Sequence, residues 1–357
     1  MSFLRNYWYC AAWADELSRT PLARTILGEK LVLFRKIDGS VTALGAVCPH
    51  RFAPLSEGKL HNDNLACRYH GLQFGSDGRC VHNPHGDTIP PALRVPAYTV
   101  VERYGAAWIW MGDPKIADQT GIPELWGHGD DGFRTIHGYL SVKCGYELIS
   151  DNLLDLSHTQ FLHSFLTMEE DADKKYVFEI QQNGEDLTTL SNHLNAKPFG
   201  FARFVWPDCP ERINSYAGIR WEAPANMLLK VHLSGASQSE AEGLHSWGAE
   251  LVTPETETTC HYFWSNARDF RLDDAPFEQA LQAAISGVFT NEDAWILALV
   301  QQNMGSATDL ISLKPVILAS DNAAIRARRI IRKLLREEVP AGRIAEPAAG
   351  QPEVQRA

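Results

Sequence analysis

Two cysteine–histidine pairs constrain this chain more than any other feature. Cys48-Pro-His50 and Cys67-Arg-Tyr-His70 set four metal-ligating side chains within 23 positions, as C-x-H and C-x-x-H halves. Each half offers one thiolate and one imidazole, so two adjacent loops must converge for all four to share a site. Gly58, Gly71, Gly75 and Gly78 permit the tight backbone approach this needs, and Pro49 and Pro54 stiffen the first loop. A Cys2His2 zinc site is one reading, although zinc sites more often use C-x2-C and H-x3-H halves. The mixed halves suit a [2Fe–2S] centre, with the two Cys on one iron and the two His on the other. Neutral imidazoles in place of two thiolates lower its negative charge and raise its reduction potential.

The surroundings agree with a small antiparallel β domain over residues 1–115. Lys30–Arg35, Val41–Ala46, Leu65–Ala66 and Ala107–Met111 read as short strands, with Asp38-Gly39 and Asp77-Gly78 as turns between extended runs. Gly112-Asp113-Pro114 closes this unit, and 116–132 reads as a linker. From 133 to 338 the pattern changes. Tyr146–Phe165 reads as a helix, Val177–Phe263 holds strand-like segments, and Pro276–Asn303 and Asn322–Glu338 read as long helices. That mixture predicts an α+β second domain. Residues 339–357, rich in Pro, Ala, Gly and Glu, read as a disordered tail.

The segment DNLLDLSHTQFLH holds a second constellation. Asp151, Asp155 and His158 stand at i, i+4 and i+7, on one helical face. His163 lies five beyond His158, so both reach one ion only if the helix ends or widens into a π-type turn between them. Two His and one carboxylate form the facial triad of non-haem Fe(II) oxygenases, which leaves coordination positions open. If Asp155 has another task, Asp293 in FTNED is the best third ligand, with its neighbour Glu292 as the alternative.

These motifs resemble a known family. CPHRFAPLSEG and CRYHGLQF look like the Rieske loops of ring-hydroxylating and demethylating oxygenases. With no extra loop Cys, and with Arg51 and Tyr69 beside the ligands, they resemble the lower-potential oxygenase type rather than the cytochrome bc1 type. DNLLDLSHTQFLH resembles the matching segment of vanillate O-demethylase and dicamba-type monooxygenases. The likeness runs from NYWYCAAW through ETTCHYFWSNARDF to the Asp293 helix.

The resemblance implies an N-terminal Rieske [2Fe–2S] domain followed by a helix-grip catalytic domain, an antiparallel sheet with long helices. Cys48, His50, Cys67 and His70 would hold the cluster, and His158, His163 and Asp293 a mononuclear Fe(II). Asp155 would bridge His158 to His70 of a neighbouring subunit in a head-to-tail homotrimer, with Asn152 near the iron. A flavin and ferredoxin-type reductase would bring electrons from NAD(P)H. The implied reaction is O2-dependent hydroxylation or O-demethylation of a small methoxylated aromatic acid. Methyl-sulfonate aromatics, chlorinated methoxybenzoates and N-methyl compounds are alternative substrates, and a pure electron-transfer Rieske protein is the rival of another class.

Composition narrows the partners. The net charge is −11 without a block of basic residues, which disfavours nucleic acid and anionic membranes. No uninterrupted apolar run of 18 residues predicts a bilayer span. Seven scattered Cys do not suggest a disulfide scaffold, so a cytoplasmic location is expected. His82 and His85 read as surface-loop residues and Cys80 as a small buried hydrophobe. Arg220, Lys230, His245 and Glu250 are candidates to line a substrate pocket.

Overall fold

The computed structural model describes residues 3–169 and 175–338; the expected tail, 339–357, lies outside them. Ten strands come from the first third of the chain. They are β1 (Trp8–Trp13), β2 (Leu22–Ile26), β3 (Glu29–Arg35), β4 (Val41–Gly45) and β5 (Lys59–His61), then β6 (Asn64–Ala66), β7 (Gln73–Phe74), β8 (Cys80–His82), β9 (Ala97–Arg103) and β10 (Ala106–Trp110). They form a six-stranded sheet in the order β1-β10-β9-β4-β3-β2 and a four-stranded one, β5-β6-β7-β8. Pairing is antiparallel throughout. The two Asp-Gly turns fall where expected, and Gly39 and Gly78 take φ of +87° and +78°. At Gly78 a Cβ would also lie 2.1 Å from the Val95 carbonyl oxygen, so only glycine fits.

The second unit is a seven-stranded antiparallel sheet. Its strands are β11 (Arg134–Val142), β12 (Lys175–Asn183), β13 (Asp186–Ala196), β14 (Ile213–Glu222), β15 (Asn226–Gly235), β16 (Leu244–Thr256) and β17 (Thr259–Arg268). Their order is β11-β17-β16-β15-β14-β13-β12. The helices are α1 (Tyr146–Leu154), α2 (Thr159–Leu162), α3 (Gly200–Val205), α4 (Ala275–Gly287), α5 (Ala294–Met304) and α6 (Asn322–Glu337). Both faces of β16 and β17 are buried, by different partners. Leu251 and Phe263 face Trp8, Trp108 and Trp110 of the first unit, while Val252, Tyr262 and Trp264 face the helices.

The segment read as a linker is packed rather than free. Ile122 and Leu125 are buried among those tryptophans, and His128 Nε2 lies 2.7 Å from the Ser265 hydroxyl. Backbone bonds also tie the units, from Leu27 N to the Pro254 carbonyl at 2.9 Å and from Gly28 N to Glu255 at 2.8 Å. At the other end, the Glu338 carboxylate accepts the amides of Arg5 and Asn6 at 2.6–2.9 Å.

Two expectations need correction. Tyr146–Phe165 is not one helix. α1 stops at Leu154, because Asp155 turns its carboxylate onto Ser157 N at 2.9 Å and caps a 3-10 turn, Leu156–His158. A side chain that captures a backbone amide this way competes with the helical ladder. The other concerns bilayer-length helices. α4, a π turn over Val288–Asp293 and α5 run continuously from Ala275 to Met304, and an 18-residue stretch within them has a mean hydropathy of 1.2. That is long and apolar enough to cross a bilayer, although Glu292 and Asp293 interrupt it. In the fold this helix lies along the sheet, with Phe277, Leu281 and Leu297 in the core.

Candidate metal centres

In the first unit, Cys48 and Cys67 are buried at the base of two loops, while His50 is exposed and His70 half-exposed at their tips. The loops are tightened by bonds from Phe52 N to the Cys48 carbonyl and from Gly71 N to the Cys67 carbonyl, both 2.9 Å. The two imidazole rings lie 4.6 Å apart. Burial pushes the Cys48 thiol up, with the neighbouring Cys67 adding to it and the amides of His50 and Arg51 pulling against it. The two thiols adjoin each other and so do the two imidazoles, which suits one iron held by two Cys and a second held by two His. His85 is exposed as expected but not idle, since its Nε2 lies 2.9 Å from the His70 carbonyl oxygen. Cys80 is buried, in keeping with a packing role.

In the second unit, His158, His163 and Asp293 converge. Among the described residues they are the one group of three His, Cys, Asp or Glu whose ligand atoms lie within 4.8 Å of each other. The two Nε2 atoms are 3.2 Å apart, and Asp293 Oδ1 is 3.6 Å from His158 Nε2 and 3.4 Å from His163 Nε2. The end of α1 and the 3-10 turn, rather than a π turn, aim both histidines at one point. The π turn sits instead on the opposite helix, where the chain's third donor arises. His163 and Asp293 are 2% and 4% exposed.

The outer ring nitrogens decide which atoms can bind metal. His163 Nδ1 lies 2.5 Å from Glu292 Oε2, and His158 Nδ1 lies 2.6 Å from the Asp155 carbonyl oxygen. Each acceptor holds a proton on Nδ1, leaving Nε2 with its lone pair toward the shared point. Glu292 is therefore occupied as an orienting group, and Asp293 points inward. The Asn152 amide donates to Asp293 Oδ1 at 3.2 Å. Burial works to lower the His163 pKa, but the Asp293 and Glu292 carboxylates outweigh it and raise it. The donor set of two imidazoles and one carboxylate fits Fe(II) with open positions.

Asp151, Asp155 and His158, expected on one face, do border one groove, but their partners differ. Asp151 accepts from Arg328 on α6 at 2.7–3.1 Å. Asp155 is half-buried beside an apolar groove of about 500 Å³ that also borders Asn152, His158, Phe161 and Val300. Its carboxylate caps the 3-10 turn, and only its backbone carbonyl contacts His158. Of the pocket candidates, three are paired on the outer face. Arg220 pairs with Glu222 at 2.7 Å, Lys230 with Glu240 at 2.5 Å, and His245 with Asp269 at 2.5 Å. Glu250 alone turns inward, opposite Trp264 in the strand register. Sequence reasoning missed Arg328 and the Glu292–His163 contact; an arginine on the apolar stripe of a helix was the available signal for the first.

Comparison with known proteins covers both units. Residues 7–99 match the Rieske [2Fe-2S] domain, and residues 142–337 match the vanillate O-demethylase oxygenase C-terminal domain. The dicamba O-demethylase oxygenase component of Stenotrophomonas maltophilia is 38% identical, over 94% of this chain and 98% of its own length. The chloroacetanilide N-alkylformylase oxygenase component of Rhizorhabdus wittichii is 37% identical, over 94% and 97%. The crystal structure of dicamba monooxygenase bound to 3,6-dichlorosalicylic acid superposes with a TM-score of 0.88, at 36% identity, over 95% of this chain and 99% of that one. A β domain with paired Cys-His loops, joined to a helix-covered sheet with a two-histidine, one-carboxylate site, thus places the chain in the Rieske non-haem iron oxygenase family, among the oxygenase components that include the dicamba and vanillate O-demethylases.

Proposed function

We propose that the chain oxidises the methyl or small alkyl group of a small aromatic compound, with O-demethylation of a methoxylated, vanillate-like acid as the leading reaction. N-Dealkylation is the second reading, favoured by the 37% identical N-alkylformylase component. In the leading reaction the methoxy arene, O2, NAD(P)H and a proton give the phenol, formaldehyde, NAD(P)+ and water. The observation that carries the reading is the meeting of His158 Nε2, His163 Nε2 and Asp293 Oδ1 at 3.2–3.6 Å.

Cys48 and Cys67 would hold one iron of the cluster and His50 and His70 the other, in a domain spanning 1–115. His158, His163 and Asp293 would hold the mononuclear iron in a catalytic domain of 133–338, with 116–132 joining the two. When bound, the cluster supplies electrons one at a time and the mononuclear iron supplies activation of O2. Glu292 and the Asp155 carbonyl keep the two ligand imidazoles in the right tautomer, and Asn152 holds the Asp293 carboxylate. Burial of His163 and Asp293 keeps bulk water from the reacting centre.

A homotrimer supports electron delivery. Among the described residues, no hydrogen bond or ring contact joins the Cys48–His70 loops to the His158–Asp293 site within one chain. The loops end in exposed Phe52 and Tyr69, and the Asp155 groove is apolar, so the tip of one subunit suits the groove of the next. Asp155 would then lie between His158 and the neighbour's His70. A flavin and ferredoxin-type reductase is the electron source, and the free cysteines suit a reducing, cytoplasmic compartment.

The test supplies purified chain with a generic reductase and NADH and screens methoxybenzoates, methoxyphenols, N-alkyl anilides and methylated arylsulfonates. Formaldehyde from the methoxy compounds is the expected result. Reaction of only the N-alkyl or sulfonate compounds would remove O-demethylation and keep the oxygenase. Cluster reduction without oxidation of any compound would leave an electron carrier.

A further inference from the structure

Beside the proposed iron site, the sheet carries a buried acid with no assigned task. Glu250 is 3% exposed, and its Oε2 has no hydrogen-bond partner. The buried Tyr262 hydroxyl on the adjoining strand faces Glu250 and has no other partner. A buried carboxyl oxygen left unpaired is costly, so Oε2 is open to a donor brought by a ligand. The place is next to the reaction. Tyr262 and Trp264 lie 5.2 and 5.9 Å, ring to ring, from Phe289, on the same π turn as Asp293.

The wall beside Glu250 is incompletely filled. Leu229 and Val231 sit on the inward face of β15 yet remain partly open to solvent, as does Ala217 on β14. An apolar hollow with one or two convergent polar atoms is the usual form of a small-molecule site. Its charge is one-sided. Beside Glu250 are Met227 and Trp264 in the strand register, Leu229 and Gly248, the Tyr262 hydroxyl and the Asp293 charge, none of them cationic. The inward cation on this face, Arg268, lies four residues further along β17 than Trp264, about 13 Å at strand spacing. It is engaged by Glu278 at 3.2 Å.

We propose that Glu250 selects the substrate: its buried carboxyl oxygen accepts a hydrogen bond from an O–H or N–H group of a neutral molecule, and disfavours one that turns a carboxylate to this wall. The inference rests on reading His158, His163 and Asp293 as the iron site, and narrows the substrate class within it. Burial pushes Glu250 up to about 8, the Tyr262 hydroxyl working against the rise and the Asp293 charge adding to it. A substrate anion would bring a further negative charge into the same low-dielectric space. A site built to meet a donor discriminates strongly against analogues that lack one, because its own polar atom stays unpaired. Phenols bearing an adjacent methoxy group, aromatic amines and secondary anilides present such a donor.

The experiment titrates the iron-loaded enzyme by calorimetry with four matched probes: 2-methoxyphenol, 2-methoxyaniline, anisole and 2-methoxybenzoate. Formaldehyde release is followed in parallel with reductase and NADH. The two donor probes should bind roughly tenfold tighter than anisole and 2-methoxybenzoate. Glu250→Gln, which keeps an acceptor at the same place, should retain the preference for the phenol. Glu250→Leu should bring the phenol down to anisole, with iron content and cluster spectrum unchanged. Equal binding of phenol and benzoate by the native enzyme, or the same ratio in both variants, would overturn the proposal. Glu250-dependent binding without formaldehyde release would support it and count against O-demethylation instead.

Discussion

The Cys48–His70 loops leave His50 exposed and His70 half-exposed at a tip flanked by Phe52 and Tyr69, whereas His163 and Asp293 sit at 2% and 4% exposure behind a sheet and a long helix. Under the proposed function one region needs an outward edge, so that electrons could leave through a histidine toward another protein surface. The other needs seclusion, because O2 activation in contact with bulk water invites side reactions. Their construction differs accordingly. The first is held by local loop bonds and glycines, the second by side chains distant in sequence. Asp293 is oriented by Asn152 and His163 by Glu292, 129 positions away. A site assembled locally tolerates exposure, and a site assembled across the fold depends on the whole domain.

Breaking each region separately gives the largest effects. His163→Ala should abolish turnover and lower iron from about three to about two per chain, with the cluster's spectrum intact. Cys67→Ser should abolish turnover and leave the mononuclear iron in place. Metal analysis with electron-spin resonance separates the two, and loss of both centres in either variant would make them one structural unit. Asp155→Asn probes the path between them. Both centres should stay loaded while turnover falls about 100-fold, and the rate at which substrate-bound enzyme reoxidises its cluster should fall with it. Full activity would remove Asp155 from the path. Its carboxylate does not touch His158 but caps the turn that carries it, so retained mononuclear iron in the variant would separate a lost path from a lost turn.

A smaller effect should come from Arg328, 3% exposed, which bonds Asp151 and Glu147 and so pins α6 to α1. Arg328→Met leaves two half-buried carboxyls without their counter-charge and should cost roughly 2–4 kcal/mol in chemical denaturation, less than a fully buried pair would. Burial holds the pKa values of Asp151 and Glu147 up even with Arg328 present. The deficit should therefore shrink as pH falls and both carboxyls take up protons.

The smallest effect concerns Glu250. Its folded carboxyl holds a proton to about pH 8, while the unfolded one releases it near 4.5. The folded state thus binds more protons between those values, and stability declines as pH rises through the window. In the iron-free protein, Glu250→Gln should flatten this slope by roughly 1–2 kcal/mol between pH 5 and 8, after allowance for water penetration. An identical slope in both proteins would show that Glu250 is ionised throughout.

The first region was legible because its four candidate ligands fall within 23 positions and an Asp-Gly turn stands on either side of them. The second was legible in part. His158 and His163 were identified from spacing, but the segment was read as one helix, because DNLLDLSHTQFLH contains no Gly or Pro. Asp155 ended it by capping, an outcome that helix propensity does not anticipate. Between Glu292 and Asp293 sequence offered a preference and no proof, since adjacent residues differ by about 100° around a helix and a π turn shifts that phase. Glu250 was one of four equal candidates until strand register put it inward and Arg220, Lys230 and His245 outward.

By itself, then, the sequence determined the ligand types, the two-part organisation and the short-range loop that gathers the cluster ligands, because spacing and turn chemistry act over a few residues. Only the tertiary structure decided which carboxylate completes the three-donor site and which charged side chains meet the interior. The first depends on the phase of a helix against histidines roughly 130 positions away and the second on the register of a sheet, and packing fixes both.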